Sequence, residues 1–351
     1  MDGLEGVIVA ETTTSAVDGE AGELLLRGWP VSELAGVIPF ERVASLFLHG
    51  SVDAPPVDLG PGRAAAFERI DRLGGALDLA DGMDALRASV AQLDSATAAP
   101  ELAAAVAVFA AAWSRRSRGL APVPPDPTSS HAADYLRMVH DRAPSADEAA
   151  AMDAYFATVV DHGMNASTFA ARVVASTESD RVSAIVAAIG ALKGRLHGGA
   201  PGPVLDMLDA VGEPEAAEAW IRAALARGER VMGMGHRVYR VRDPRAAVLE
   251  RALEGLADRG DDARLALARA VERAAERVLA ADKPGRAIRA NVEFYTATLL
   301  EALGLPRGSF TPTFASARVI GWCAHYDEQR ASGRLIRPRS RYVGPRPASA
   351  A

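Results

Sequence analysis

Apolar positions recur along most of this chain at the spacing of helix faces. In residues 261–282, Leu265, Ala268, Val271, Ala275, Val278 and Leu279 fall on one side of a 3.6-residue period. Asp261 and Asp262 stand before that stripe as caps, and Lys283-Pro284-Gly285 ends it. Most other long segments are rich in alanine, leucine, arginine and glutamate, which lose little side-chain freedom in a helix. The exception is residues 4–28, where valine, isoleucine and threonine precede the turn-rich Asp18-Gly19-Glu20-Ala21-Gly22 and then Leu24-Leu25-Leu26. That pattern predicts one β-hairpin at the head of an otherwise all-α, mainly helical protein.

Punctuation falls at Ala54-Pro55-Pro56, at Pro122 to Pro127 and at Ala200-Pro201-Gly202-Pro203. The prolines of 122–130 cannot donate to a helix or ladder, so this stretch reads as an exposed loop. The tail after Arg334 spaces Arg337, Arg339 and Arg341 by two, an extended basic arm that could reach a neighbour. No internal repeat is visible. The longest apolar stretch, Leu102 to Trp113, is too short for a bilayer core of roughly 30 Å.

Composition narrows this picture. The 351 residues are 49% hydrophobic and 24% charged, enough to bury a sizeable core. A net charge of −6 argues against general nucleic-acid affinity, while local arginine clusters remain suited to a small anion. Cys323 is the only cysteine, which excludes an intrachain disulfide and fits a reducing cytoplasm. The first residues lack the basic and apolar regions of a secretory signal.

Four segments carry candidate chemistry. Asp161-His162-Gly163-Met164-Asn165-Ala166-Ser167-Thr168 leads into an apolar run and, by itself, reads as a helix start capped by Asn165 or Ser167. Leu196-His197-Gly198-Gly199 places a histidine among small residues at an element end, equally a functional or a structural imidazole. In Gly233-Met234-Gly235-His236-Arg237-Val238-Tyr239 and the following Asp243-Pro244-Arg245, the Asp-Pro pair starts a helix. Arg245 then falls in a first turn whose free N–H groups would welcome an anion. The third glycine of a dinucleotide fingerprint is missing. Arg289-Ala290-Asn291-Val292-Glu293 sets a carboxylate among apolar neighbours, where desolvation would make it a better base; a structural ion pair is the commoner outcome.

Taken together and in this order, the four segments resemble the citrate synthase family from about residue 4 to 344, with Ile336-Arg337-Pro338-Arg339 as added support. The resemblance implies a helical homodimer. Residues 1–198 and 300–351 would form a large domain, and residues 199–299 a small one that closes over the substrates. It further implies that His197 meets the thioester oxygen of acetyl-CoA, that His236 polarises the oxaloacetate carbonyl, and that Glu293 is the base. His162, Arg245, Arg318 and Arg337 would hold oxaloacetate, with Arg337 supplied by the partner subunit. Gly233, Met234 and Gly235 would meet the adenine of CoA, and charge alone suggests Arg286 and Arg289 for its phosphates. The resemblance implies acetyl-CoA as co-substrate, no permanently bound cofactor and no metal; neither nucleic acid nor membrane is expected as a partner.

The chain departs from the family pattern in three places. Glu293 replaces the usual aspartate, Arg195 a proline before Leu196-His197, and Pro201 an asparagine after the glycines. Condensation of acetyl-CoA with oxaloacetate is the leading expectation. A 2-methylcitrate synthase using propionyl-CoA and a weakly active or non-catalytic paralogue are the alternatives. The N-terminal extension associated with NADH inhibition and hexamers has no counterpart, so an NADH-insensitive dimer is expected.

Overall fold

The computed structural model describes residues 3–4, 6–198, 201–235, 239–257, 262–282 and 288–345. The expected hairpin is present. β1 (Ser15–Asp18) pairs antiparallel with β2 (Glu23–Leu26), Ser15 opposite Leu26 and Asp18 opposite Glu23. A two-residue β3 (Trp29–Pro30), which the pattern did not predict, extends the sheet beside β2.

Among the described residues helices account for the other regular elements, apart from four short 3-10 turns. They are α1 (Val31–Leu34), α2 (Phe40–His49), α3 (Gly60–Phe67), α4 (Gly82–Val90), α5 (Ala99–Arg116), α6 (His131–His140), α7 (Ala146–Val159), α8 (Ala166–Ser176) and α9 (Arg181–Leu192). After them come α10 (Pro201–Val211), α11 (Ala217–Ala226), α12 (Pro244–Ala257), α13 (Asp262–Asp282), α14 (Val292–Ala302) and α15 (Phe310–Ser332).

The run noted as apolar but short is the central helix. From Leu102 to Arg115 every residue of α5 is buried, because α3, α4, α6 and α15 cover it on all sides. Such a helix shows no amphipathic stripe, since it has no wet face. α15 lies along α5 and also packs against α7, α8 and α9. Its approach to the end of α7 depends on Gly321: a Cβ there would stand 2.2 Å from the Val160 carbonyl oxygen. No helix among the described residues is long and apolar enough to cross a membrane.

α10 to α14 pack mainly among themselves, with α12 also lying against α7. The predicted stripe of α13 is buried throughout, from Leu265 to Leu279. The side chains of its two proposed caps, Asp261 and Asp262, and the stop at Lys283-Pro284-Gly285 lie outside the described residues. Charge supplements apolar burial here. Arg242 donates to Glu250 and Glu272, its guanidinium stacks over the Tyr295 ring, and the Tyr295 hydroxyl donates to Glu272 at 2.5 Å. α12, α13 and α14 are thereby tied through one arginine.

Loop 122–130 is the irregular connection expected, pinned by Arg63, which donates to the Asp126 and Ser129 carbonyls and pairs with buried Asp134. The tail from Gly333 to Pro345 has no helix or strand and exposes Leu335, Tyr342 and Val343.

Candidate active site

Three helix ends build the site. The first is the start of α8. Asn165, not Ser167, is the cap: its Oδ1 accepts from the N–H groups of Ser167 and Thr168 and lies 2.8 Å from Ser167 Oγ. Ser167 is spared the capping role and turns its side chain inward, where His197 Nε2 lies 2.8 Å from Ser167 Oγ and 3.4 Å from the Ser167 nitrogen.

His197 lies in the coil after α9, held by its own N–H to the Gly194 carbonyl. The ring is half-buried, and desolvation followed by the nearby positive charge of Arg318 pushes its pKa down to about 4. It is therefore neutral near pH 7. The Ser167 hydroxyl has one proton, within reach of both Asn165 Oδ1 and His197 Nε2, but the Ser167 N–H can only donate. That N–H faces Nε2, which makes Nε2 the acceptor and assigns the ring proton to Nδ1. Trp322 Nε1–H donates to Ser167 Oγ at 3.2 Å and fixes that hydroxyl from the α15 side.

The second helix end is that of α12. Asp243 is buried at 1% exposure and Arg245 at 3%. The anion expected at this turn is supplied by the chain itself: Asp243 accepts from the Arg245 N–H and Nε at 3.0 Å and from Nη2 at 2.7 Å. The turn is capped, which corrects the expectation of free N–H groups. Arg245 Nη1 has no hydrogen-bond acceptor among the described residues.

The third is the start of α14, capped by Asn291, whose Oδ1 accepts the Glu293 N–H at 3.0 Å. Asn291 also locks the glycine loop: its N–H donates to the Gly233 carbonyl and its Nδ2 to the Gly235 carbonyl. Gly235 N–H in turn donates to the Arg289 carbonyl, and Met234 bridges Ala290. Gly233 has φ of 71°, and a Cβ on it would come within 2.9 Å of the Phe294 ring.

Glu293 is half-buried, and its carboxylate forms neither a hydrogen bond nor an ion pair among the described residues. The commoner outcome, a structural pair, is not what forms. Burial pushes its pKa up to about 7, against the pull of Arg245 and Arg318 and with a push from Asp243. Arg318, on α15, is 1% exposed and donates from Nε to the Val159 carbonyl at 2.6 Å. Burial brings it down to about 10, still charged at neutral pH. Tyr155 of α7 is fully buried, with a hydroxyl that has no hydrogen-bond partner among the described residues. Burial, then the charge of Glu293, raises it well above its usual range.

His197, Glu293, Arg245 and Arg318 thus share one electrostatic neighbourhood. His162 joins its edge, with Nε2 at 3.1 Å from the Tyr239 hydroxyl. The preceding Asp161 is wholly buried, accepting from Ser15 Oγ at 2.5 Å and facing His325 Nε2 at 3.3 Å. Burial would raise its pKa, but His325, Arg318 and Ser15 together bring it below the usual value. The hairpin touches both sides of the site, since Ser15 holds Asp161 while the Gly19 carbonyl accepts the Arg240 N–H.

Two predicted arginines make no side-chain hydrogen bond or ion pair with this cluster among the described residues. Arg289 is paired with Glu276 at 2.6 Å on an exposed face. Arg337 is exposed and lines a cavity of about 540 Å³ between residues 4–11 and 333–338, with no hydrogen bond or ion pair to the cluster among the described residues. His236 and Arg286 lie outside the described residues. Sequence reasoning missed Trp322, Tyr155 and the second role of Asp243. Ser167 and Asp243 stood within named motifs, whereas no local signal marks Trp322, 155 positions from its partner.

The family model described as "Citrate synthase, C-terminal domain" matches residues 3–339. A citrate synthase of Mycolicibacterium smegmatis is 40% identical over 97% of this chain and 94% of its own length. A 2-methylcitrate synthase of Mycobacterium tuberculosis is 38% identical over 97% and 90% respectively. Among solved structures, citrate synthase from Thermotoga maritima MSB8 superposes with a TM-score of 0.86 at 34% identity, covering 100% of this chain and 97% of that one. The ternary complex of carboxymethyl coenzyme A and oxaloacetate with citrate synthase from Thermoplasma acidophilum gives 0.88 at 28% identity, covering 99% and 97%. The chain belongs to the citrate synthase family and is an acyltransferase.

Proposed function

We propose that this protein condenses acetyl-CoA with oxaloacetate and hydrolyses the resulting thioester to citrate and CoA. The observation that carries the reading is a Glu293 carboxylate without an ion-pair partner among the described residues, raised to about 7, in the same neighbourhood as a neutral His197 and two buried arginines.

A methyl proton beside a thioester is a weak acid. Glu293 removes it as the developing enolate oxygen accepts a hydrogen bond from His197 Nδ1, whose proton position Ser167 sets from the far side of the ring. The enol carbon then attacks the ketone carbon of oxaloacetate, and the former carbonyl oxygen gains a proton. His236 polarises that carbonyl. Arg245, Arg318 and His162 hold the oxaloacetate, and Arg337 arrives from the partner subunit. Water finally cleaves the new thioester, releasing CoA. Gly233, Met234 and Gly235 meet the adenine, and Arg286 and Arg289 are assigned to the phosphates on charge alone, Arg289 by exchanging its Glu276 partner for them. No metal and no resident cofactor is needed for these steps.

In this reading residues 1–198 and 300–351 form the large domain and 199–299 the small one, closing after oxaloacetate binds so that acetyl-CoA itself is spared hydrolysis. Exposed Leu4, Val7 and Leu335 around the Arg337 cavity support a homodimer. A cytoplasmic location fits the single buried thiol.

The relative named for 2-methylcitrate supports propionyl-CoA as a second reading. One methylene is worth only ~1–3 kcal/mol of discrimination, and Arg195 and Pro201 flank the acyl-side histidine. Thiol release with oxaloacetate and each acyl-CoA tests both. Turnover abolished by Glu293→Gln supports the mechanism; no turnover with either donor by dimers that bind oxaloacetate refutes it in favour of a non-catalytic paralogue.

A further inference from the structure

We infer that Asp243 is a positioning residue that sets the substrate arginine and the base together. Its carboxylate is almost wholly buried and fully used. Oδ1 accepts from the Arg245 N–H and Nε, while Oδ2 accepts from Arg245 Nη2 and, at 3.2 Å, from the Val292 N–H. Val292 opens α14, and Glu293 is the next residue. One side chain therefore caps α12, orients the guanidinium of Arg245 and anchors the turn that carries Glu293.

The anchoring is two-sided. Across the α14 start, Asn291 binds the Gly233 and Gly235 carbonyls, and the Asp243 N–H donates to the Ala290 carbonyl at 3.3 Å. The turn can neither slide toward the glycine loop nor swing away from α12 without breaking these bonds. Asp243 occupies Nε and Nη2 of Arg245, so Nη1 is the guanidinium nitrogen left for a ligand carboxylate. Bidentate pairing holds a guanidinium plane in a way a single contact does not.

A cap alone would require only an acceptor for the Arg245 N–H, and serine or asparagine would serve. The three further bonds distinguish positioning from capping. Asp243 also places negative charge near Glu293, which among the described residues interacts as well with Arg245 on α12, Arg318 on α15 and Tyr155 on α7. Losing it removes a carboxylate that, beside burial, opposes ionisation of Glu293.

This inference rests on the proposed condensation, and its test separates the two. Asp243→Ser keeps a cap but removes the charge and the Arg245 pair; Asp243→Glu keeps the charge in a longer arm. Circular dichroism checks folding of both, calorimetry measures oxaloacetate binding, and steady-state kinetics cover about pH 5.5 to 9, a range that brackets the raised carboxyl. With Asp243→Ser, oxaloacetate affinity should fall about tenfold or more, the loss expected for charge-assisted bonds. The KM for acetyl-CoA should stay within about twofold, as expected if the loss is confined to oxaloacetate binding. The acid limb of kcat/KM should move to lower pH. Asp243→Glu should keep the wild-type acid limb yet bind oxaloacetate more weakly. A folded Asp243→Ser variant with wild-type oxaloacetate affinity overturns the inference, whether or not the wild type turns over. An active wild type whose acid limb and KM values match those of Asp243→Ser does so too. An inactive wild type by itself refutes only the condensation.

Discussion

Glu293→Gln should make the protein more stable as it makes it inactive, and the gain should depend on pH. The folded state raises this carboxyl from 4.5 to about 7, chiefly by burial. At 1.36 kcal/mol per unit, ionising it in the fold costs about 3 kcal/mol, reduced to about 2 by its partial exposure. The sign follows from linkage. Below about pH 4.5 the group is protonated in both folded and unfolded chains, so it imposes no penalty. As pH rises toward 7 the unfolded chain ionises first, and the folded state loses that free energy relative to it. Above about 7 the full penalty is present. Glutamine never ionises, so its melting temperature should match wild type near pH 4.5 and exceed it by a few degrees at about pH 8. Paired thermal melts of both proteins at several pH values provide the assay. A difference that is constant across this range would refute the claim that Glu293 is held in a desolvating site. Turnover supplies the complementary readout: wild-type kcat/KM should rise with pH until about 7.

Ser167→Ala removes the hydroxyl shared by His197 Nε2 and Trp322 Nε1 but keeps the backbone N–H that faces Nε2, so kcat should fall by less than about tenfold while stability drops by about 1–3 kcal/mol from the unsatisfied indole N–H; kinetics and denaturant melts measure the two. Gly233→Ala puts a Cβ at positive φ against the Phe294 ring and should cost about 1–3 kcal/mol, with a raised KM for acetyl-CoA if the loop meets CoA; an unchanged melt would contradict the geometry. If Arg337 acts in trans, mixing inactive Glu293→Gln and Arg337→Ala chains should restore about a quarter of wild-type turnover after random reassortment, and no recovery on confirmed exchange would place Arg337 in cis or outside the site. In direct competition at equal concentration, the preference between acetyl-CoA and propionyl-CoA should not exceed about 200-fold, measured by product ratio.

What the sequence disclosed depended on how local its cause was. The hairpin and α13 were legible because one wet face and one dry face leave a period in the residues. α5 left none: its neighbours bury it all round, so only a featureless apolar run remained. β3 is two residues long and held by pairing to β2, too short to carry a pattern. In the site, short motifs marked His197, Arg245 and Glu293 because glycines, an Asp-Pro pair and an Asn cap act within a few residues. The partners that tune them are distant. Trp322 reaches Ser167 across the core, and Arg318, from another helix, adds to the burial that lowers His197. Asp243 shows a subtler gap: its motif was visible, but the Arg245 N–H expected to be free in that turn is met by the Asp243 carboxylate, which leaves Arg245 Nη1 as the donor proposed for a ligand.

The substitution of glutamate for aspartate gains a physical reading from this arrangement. A side chain one methylene longer carries its carboxylate about 1 Å further, which in a rigid site would displace the base from the methyl proton it must remove. Here the α14 start that carries Glu293 is fixed on both sides, by Asn291 to the glycine loop and by Asp243 to α12, so backbone slack cannot absorb the extra length. The adjustment must lie in the side chain, which no hydrogen bond or ion pair among the described residues restrains. Such a base is well placed in charge but loosely placed in space. Glu293→Asp would then trade reach for order: a rise in kcat with an unchanged acid limb would mean that looseness limits the present site, whereas a fall would mean that the surrounding helices already hold the reacting carbon at the glutamate's distance.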